Sequence, residues 1–440
     1  MIPYQDERLS LKITALMNYL PAVLQCVETS AAAFGLGRDE SLKLRLAAEE
    51  IFSYLCSRVC RGAPLEMICR GCLSHARVEF HFSVSSLDMG ALNITTAVPV
   101  ENIEQAEEVG LEVGLVIASR IIDRLHLQTD AQNHVVLSIE QDKFYPALPA
   151  SVKTFDIRGA LTVETPDLGG IQRFALQMGS CAKDPLRPAF FNYPGKTADM
   201  VTAEHCLALI ARNTSGNIAG GILYRPLTEK IFEIFSPCIF SPRREEEISS
   251  LLFEECLLKT AKTKAVGLVS LTGLPAFLQP QFETLGELTY HRVNDAPIIS
   301  PAFCRLLHED PGFQVWAHPA LKGYLEKEYS RLFLARDIQP ARELGDARAG
   351  QSIFGTEMRR ERAEALLRPL WPGNDFSDNL NRHLALCRKE SSINIFFTLD
   401  LGVYWHAFLA PVLISAGFTP KVIIPFAGQA DLVIFQYDKF

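Results

Sequence analysis

The stretch Glu107–Leu125, EEVGLEVGLVIASRIIDRL, organises the predicted fold of this chain. Two glycines, Gly110 and Gly114, stand ahead of apolar residues at helical spacing, which are Leu115, Ile117, Ile121, Ile122 and Leu125. This pattern predicts an amphipathic helix that opens on glycine. The first turn of a helix has free backbone N–H groups, which can bind a phosphate. A glycine there is more often only a permissive turn, so the two glycines gain meaning only from partners elsewhere in the chain.

The composition is that of a globular protein. The 440 residues are 48% hydrophobic and 21% charged, and this length predicts two or three domains, each with its own core. A net charge of −8 argues against a basic surface for nucleic acid. The N-terminus has early acids without a signal region, and no apolar run approaches membrane-spanning length. We therefore expect a cytoplasmic protein that binds neither nucleic acid nor a membrane, and its oligomeric state stays open.

The cysteines could be reduced thiols, disulfides or metal ligands. Eleven cysteines in so long a chain are typical of reduced thiols rather than of a disulfide framework. Four of them fall close together, at Cys56, Cys60, Cys69 and Cys72. Four thiolates can hold zinc or an iron–sulfur cluster, but the first two end an amphipathic helix and the third begins an apolar segment, where cysteine packs as a small hydrophobe. Packing is favoured and metal binding stays open.

Residues 1–145 predict an α/β sandwich. An opening helix is predicted through the apolar positions from Leu11 to Val27, and a second helix from Asp39 follows the break at 35–37. The alternating runs 76–85 and 91–100 predict a hairpin, and 135–140 predicts a closing strand. Glu50 and Tyr54 are one turn apart on the second helix, so we expect both to face a cavity whose opposite wall is the glycine-led helix.

Two motifs in this region resemble a known family. LAAEEIFSYL (46–55) is similar to the signature helix of the anti-sigma-factor serine kinases, which belong to the histidine-kinase-like (GHKL) ATPases, and EVGLVIASRIIDRL (112–125) resembles their second glycine box. The resemblance implies an ATP site with magnesium. Its residues would be those at the family's Glu, Asn, D-x-G and glycine-box positions, which here are Glu50, Tyr54, Thr95, Ala97, Gly110, Gly114 and Leu115.

This sequence departs from the family pattern at the positions that carry the chemistry. Tyr54 stands where the family has a magnesium-binding Asn and lacks a compact amide oxygen. Thr95 stands at the adenine-reading Asp position without a carboxylate, and Glu112 replaces a glycine with a charge that repels phosphate. Asp88-Met89-Gly90 has the D-x-G letters but lies in the predicted hairpin turn. The family's other implied capacity is to hold a protein partner, here sigma-factor-like or antagonist-like.

Residues 151–298 resemble the GNAT acyltransferases. Strands are predicted at 205–213, 218–224 and 230–240, with a turn at 215–217, followed by a helix from Arg244, a strand at 265–271, a short helix and a strand near Leu288. The resemblance implies an acetyl-CoA site in the loop after the third strand, with Arg243 and Arg244 holding the cofactor. That loop lacks the family's glycines and continues into Glu245-Glu246-Glu247, and Phe282 stands at the usual tyrosine position.

Residues 299–440 include Ala416-Gly417-Phe418, which resembles the GNAT signature after its last helix. The resemblance implies a second, possibly truncated GNAT-like domain. Strands are predicted at 332–338, 351–357, 365–371 and 393–399, helices at 375–388 and 403–416, and a closing pair of strands at 422–425 and 432–436; 334–350 is predicted as a flexible loop. Three polar residues, His383, Asp400 and His406, predict either a catalytic or metal set or, more commonly, packing residues.

The predicted fold class is therefore α+β, a GHKL-type α/β sandwich followed by one or two GNAT-like α/β domains. The favoured hypothesis is a cytosolic regulatory protein in which a degenerate ATP-binding, anti-sigma-like module is joined to GNAT-like modules that sense or scaffold. The alternatives are a GNAT-type acyl-CoA-dependent N-acyltransferase and an ATP-dependent anti-sigma serine kinase.

Overall fold

The fold is mixed α/β with several sheets. A computed structural model describes residues 7–83, 92–93, 114–115, 117–129, 134–147, 156–179, 186–292, 295–341, 350–359 and 362–438. The chain divides into two compact units, of which the first comprises Met1–Phe144 with Glu343–Ile395 and the second comprises Tyr145–Arg342 with Phe396–Phe440. Each unit therefore draws on two separate parts of the sequence.

The first unit contains a five-stranded antiparallel sheet in the order β1-β2-β3-β5-β4. Its strands are β1 (Glu7–Thr14), β2 (Pro64–Gly71), β3 (His75–Ser83), β4 (Arg124–Thr129) and β5 (His134–Asp142). Its helices are α1 (Leu20–Ala33), α2 (Arg38–Tyr54) and α3, described at 114–115 and 117–121.

Several predictions for this region were wrong. Residues 7–14 form a strand rather than the start of the opening helix, because Leu9, Leu11 and Ile13 alternate and pair with β2. The predicted hairpin partner of β3 was the run 91–100, whereas both edges of β3 are taken by β2 and β5. Leu125 belongs to β4 rather than to the glycine-led helix. Of the run 91–100, the structure describes Leu92 and Asn93.

The helices cover one face of this sheet. Phe52 on α2, Leu115 and Ala118 on α3, and Phe80 on β3 are all fully buried in one core. Ile353, from a distant part of the sequence, belongs to the same core. The sheet carries charged side chains as well, including the ion pair of Arg124 with Asp142 at 2.7 Å. Burial of the apolar face is what fixes the strand register here.

The last part of the chain forms a sheet with the strand order β16-β17-β18-β20-β19. These are β16 (Ile353–Arg359), β17 (Glu364–Trp371), α8 (Phe376–Lys389), β18 (Asn394–Asp400), α9 (Leu409–Ala416), β19 (Phe418–Ile424) and β20 (Leu432–Tyr437). A 3₁₀ helix, Tyr404–Phe408, precedes α9. The predicted elements from position 351 onward are confirmed to within a few residues.

The second unit contains a large sheet with helices on both faces. Its strand order is β12-β13-β11-β9-β8-β7-β6, with β10 paired to β8, and the parallel pair is β9 with β11. The strands are β6 (Leu161–Glu164), β7 (Leu207–Asn213), β8 (Ile218–Pro226), β9 (Ile231–Ile234), β10 (Cys238–Ile239), β11 (Gly267–Ser270), β12 (Glu283–Arg292) and β13 (Asp295–Leu306). The helices are α4 (Leu168–Gly179), α5 (Pro194–Thr202) and α6 (Glu245–Ala261).

The three consecutive strands and the following helix predicted from position 205 to 262 are confirmed. The prediction missed β13, which runs through position 298, so this sheet continues to Leu306. A small parallel pair follows, formed by β14 (Phe313–Ala317) and β15 (Arg336–Pro340) with α7 (Pro319–Arg331) between them. Part of the segment predicted as a flexible loop is thus the strand β15. None of the described helices has the length and apolar content needed to span a bilayer.

Candidate functional sites

Two of the predicted ATP-site residues, Glu50 and Gly114, lie against each other. A Cβ added at Gly114 would overlap the Glu50 carboxylate and stand 2.8 Å from its Cδ. The glycine therefore lets α3 pack directly on α2 at this point. Burial, with the nearby charge of Glu49, raises the pKa of Glu50.

The other described residues of this predicted set lie in the core rather than in a cleft. Tyr54 is 5% exposed and Leu115 is fully buried, and both belong to the core of the first unit. A buried phenol in this position supplies no magnesium ligand comparable to an amide oxygen. Thr95, Ala97 and Gly110 lie outside the described residues, as do Glu112 and the segment 88–90.

The loop before α6 is where the sequence predicted an acetyl-CoA site. Arg244 donates hydrogen bonds to the carbonyl oxygens of Ile157 at 3.3 Å and Gly159 at 2.8 Å, and it forms an ion pair with Glu247 at 2.6 Å. Its guanidinium is therefore engaged by the chain itself. Arg243 is largely exposed and stands 4.0 Å from Asp156.

The first turn of α6 disfavours the binding of an anion. It carries Glu245, Glu246 and Glu247 in succession, and acidic side chains are favourable near a helix N-terminus because they meet its positive end themselves. These residues do not fit the pyrophosphate of a cofactor. Phe282, at the predicted tyrosine position, is buried against Phe253 and Phe303.

The space at the end of the parallel pair β9–β11 is bridged by hydrogen bonds. The hydroxyls of Ser236 and Ser270 both donate to the carbonyl oxygen of Gly273, at 3.0 Å and 2.9 Å. Ser236 follows β9 and Ser270 ends β11, so one carbonyl links the two strands just past their last paired residues. This link restrains the separation of the strands.

The corresponding loop before α8, residues 371–375, is filled by backbone of the same unit. A Cβ at Gly373 would overlap the backbone of Gln351 and Ser352. The Asp375 carboxylate accepts from the Ser352 N–H at 2.6 Å and from its hydroxyl at 2.7 Å. Burial would raise the pKa of Asp375, but the hydrogen bonds from Ser352 and Arg382 outweigh it and lower that pKa.

Asn93 completes this cluster, and sequence reasoning missed it. Its Nδ2 donates to the Ser352 carbonyl at 2.8 Å, and its Oδ1 accepts from the Phe354 N–H at 2.9 Å. Asn379 on α8 donates to the same Ser352 carbonyl at 2.9 Å and reaches Asn93 Oδ1 at 3.3 Å. Asn93 and Asn379 are almost fully buried. No local pattern signals such a contact, since Asn93 and Ser352 are 259 positions apart.

His383, Asp400 and His406 each have a structural role. His383 Nδ1 lies 2.9 Å from the Asn379 carbonyl, and its ring packs against Phe354. His406 Nδ1 accepts from the backbone N–H of Asp400 rather than meeting its carboxylate. Burial lowers the pKa of His383 to about 4 and that of His406 to about 3.

The Asp400 carboxylate closes a turn and does not serve a catalytic pair. It accepts from the backbone N–H groups of Gly402, Gln429 and Ala430, at 2.9, 2.7 and 3.3 Å. The three polar residues are thus packing residues, which was the commoner of the two sequence interpretations.

The four clustered cysteines are buried thiols. Burial raises the pKa of Cys56 to about 11 and that of Cys60 to about 12, and the hydrogen bond with Cys26 is the main cause of a raised pKa at Cys69. Within the part of the chain that the structure describes, no group of three or more His, Cys, Asp or Glu side chains is arranged to hold a metal ion.

Comparison with known proteins finds a partial likeness at the level of structure. No family model and no curated protein matches the sequence. Among solved structures, the aminoglycoside 6'-N-acetyltransferase from Enterococcus faecium has 12% identity and a TM-score of 0.25, with 34% of this chain and 99% of that chain covered.

Two further structures are similar to the same extent. A GNAT-family acetyltransferase from Staphylococcus aureus has 13% identity and a TM-score of 0.25, and covers 34% of this chain and 99% of its own. A chimera of spermidine N-acetyltransferase from Vibrio cholerae has 10% identity and a TM-score of 0.28, with coverage of 33% and 95%. The likeness to GNAT acetyltransferases thus extends over about a third of this chain, and no function is drawn from it.

Proposed function

We propose that this protein is a regulatory protein in which an anti-sigma-like, GHKL-type module at residues 1–145 is joined to two GNAT-like segments that scaffold or sense. The observation that carries the proposal is that the loop predicted to hold acetyl-CoA, and the corresponding loop 371–375 before α8, are both occupied by the chain's own groups. Arg244 binds two carbonyl oxygens and Glu247, and Asp375 binds Ser352. A loop whose polar groups are already satisfied gains little by binding phosphates.

The first GNAT-like segment, predicted at 151–298, is proposed to continue to Leu306, since β13 belongs to its sheet. The second, possibly truncated segment, predicted at 299–440, is then proposed to begin after Leu306. The close approach of the Gln351 and Ser352 backbone to Gly373 in its loop 371–375 supports a structural role for it.

The N-terminal module is proposed to hold a protein partner of the sigma-factor or antagonist kind. The contact between Glu50 and Gly114 supports a shared wall between α2 and α3, as the resemblance implies. ATP with magnesium would then be a ligand of low affinity, because the buried Tyr54 offers no magnesium-binding amide. Glu50 and Gly114 would be the residues nearest such a ligand.

Acetyl-CoA binding tests whether the loop before α6 is unable to hold a cofactor. Isothermal titration of the intact protein should give no measurable binding of acetyl-CoA. The variant with Glu245, Glu246 and Glu247 all changed to Gln should bring acetyl-CoA binding into the measurable range, since three repelling charges are removed. Tight binding by the parent, with turnover, would show that the loop is a working cofactor site.

Two further measurements complete the test. The titration is repeated with ATP and magnesium, for which binding that is unchanged by Glu50→Ala would count against the proposed nucleotide site. A pull-down with the intact protein then tests whether it binds a sigma-factor-like or antagonist-like partner. Recovery of such a partner supports the regulatory role.

The competing function is a GNAT-type N-acyltransferase with acetyl-CoA as cofactor. The sheet of the second unit favours it, because its parallel pair β9–β11 stands in the middle of an otherwise antiparallel strand order. In that case the exposed Arg243 and a released Arg244 would hold the cofactor. Release of free CoA with an amine acceptor, abolished in the double variant Arg243→Ala and Arg244→Ala, is the result expected of an enzyme.

A further inference from the structure

The second unit contains a cavity of about 510 Å³ that none of the sites above uses. It lies beside β12 and β13 and is bounded by the segment after α7 and by the end of β19. Its apolar lining consists of Leu285, Leu306, Leu332, Leu334 and Pro425. A cavity of this volume is in the range of sites for small organic molecules.

Glu283 places a carboxylate at this cavity. Glu283 and Cys304 are directly opposite on β12 and β13, so their side chains lie on the same face of the sheet. Both line the cavity. Glu283 has no ion-pair or hydrogen-bond partner among the described residues, and its side chain is exposed. A ligand would therefore meet an unpaired negative charge.

The nearby cations are already engaged. Arg305 also lines the cavity. Its guanidinium donates to Gln281, another lining residue, at 2.7 Å and lies 5.8 Å from the Phe253 ring centre. Arg331 forms an ion pair with Glu328 at 2.6 Å. It also donates to the backbone carbonyl of Thr284.

Two carboxylates act on Cys304 in the cavity wall. Burial, followed by the charges of Asp431 and Glu283, raises the pKa of Cys304 to about 12. Asp431 shares Arg336 with Asp310, each at 2.6 Å. That buried triad carries two carboxylates and one guanidinium, which leaves one net negative charge close to the cavity.

Phe333 stands at the rim in an unfavourable state. It follows the end of α7 with φ at 53°, a left-handed conformation that glycine normally takes after a helix. Its side chain is 89% exposed and it lines the cavity. Both the backbone and the solvent disfavour an aromatic residue here. An aromatic ring at the rim can attract a cationic ligand through its face.

We propose that this cavity binds a small organic cation with an apolar body, such as an arylalkyl or alkyl amine. The ammonium group pairs with Glu283 beside the Phe333 ring, and the apolar body lies against the leucines. The site is separate from both cofactor loops, so it does not depend on the regulatory role proposed above. It gives the second unit a ligand to sense.

Binding of three matched probes to the intact protein tests the proposal. The probes are 2-phenylethylamine, its uncharged analogue 2-phenylethanol and the anionic 3-phenylpropionate, and their affinities are measured by ligand-observed NMR titration. The amine should bind about tenfold more tightly than the alcohol, and the carboxylate should bind weakest. Equal affinities for all three, or no saturation with the amine in the millimolar range, would overturn the proposal.

Variants separate the charge from the shape of the cavity. Glu283→Gln should lower the affinity for the amine to that for the alcohol and leave the alcohol unchanged, which a folding defect would not do. Phe333→Ala should weaken the amine about threefold. Glu287→Gln, on an exposed residue of the same strand outside the cavity lining, is the matched control and should change nothing. Amine binding that survives Glu283→Gln would contradict the assigned role of the carboxylate.

Discussion

Replacing Asn93 with alanine should destabilise the first unit strongly. The Phe354 N–H loses its Asn93 acceptor at 2.9 Å, and Ser352 loses one of its two donors. A buried polar group left without a partner costs about 1 to 3 kcal/mol, and the vacated space adds about 1 kcal/mol. We therefore expect Asn93→Ala to lower the free energy of unfolding by about 2 to 4 kcal/mol.

Trp371 makes the measurement specific. The chain has three tryptophans, and Trp371 is the one within residues 1–144 and 343–395, where it packs against the core. In a background with Trp316→Phe and Trp405→Phe, urea unfolding followed by fluorescence reports on the first unit. The exposed Asn18 provides the control, since Asn18→Ala should change stability by less than about 0.5 kcal/mol.

A double-mutant cycle tests the proposed contact directly. Asn379→Ala removes the second donor to Ser352, and the weak 3.3 Å contact between the two asparagines predicts an interaction energy of about 1 kcal/mol. If Asn93→Ala unfolds with the same midpoint and slope as Asn18→Ala, Asn93 does not bind Ser352 and Phe354.

Two further predictions concern packing and acid stability. Gly114→Ala should destabilise the parent protein because the new Cβ overlaps the Glu50 carboxylate. In a Glu50→Ala background the same change should stabilise the protein by up to about 1 kcal/mol, because alanine has the higher helix propensity. Urea unfolding of the four proteins measures both effects, and an equal effect in the two backgrounds would refute the overlap. Because burial holds the pKa of His383 at about 4 and that of His406 at about 3, below the ordinary value of about 6.5, both contribute stability that is complete above pH 6.5 and is lost as the pH falls. For each histidine the loss of stability should reach about 2 kcal/mol by pH 5. His383→Gln and His406→Gln should each reduce the decrease in the free energy of unfolding between pH 6.5 and pH 5, whereas His291→Gln, at an exposed position, should not. The same pH dependence in the variants and the parent would contradict the assignment.

Local patterns determined a large part of the secondary structure. The strands β7 and β8 and the helices α2, α6 and α8 lie where periodicity and turn residues predicted them, because a hairpin or an amphipathic helix is specified by neighbouring residues. The acidic first turn of α6 was also readable from the sequence, as was the missing glycine in its loop. The sequence therefore determined the order of most elements and the lack of fit for a phosphate at Glu245–Glu247.

Tertiary structure decided which strands pair and which polar groups are used. The strand β3 pairs with β2 and β5 rather than with the run 91–100 that was predicted as its hairpin partner. Burial of a shared apolar face, and not closeness in the sequence, decides which strands pair. Arg244 donates hydrogen bonds to the carbonyl oxygens of Ile157 and Gly159, which precede β6. Asn93 is hydrogen-bonded to Ser352, which lies 259 positions further along the chain. Periodicity is local, whereas the partner of a buried donor is chosen by distant backbone brought close on folding. The unpaired Glu283 beside an apolar cavity could be found only in the folded chain.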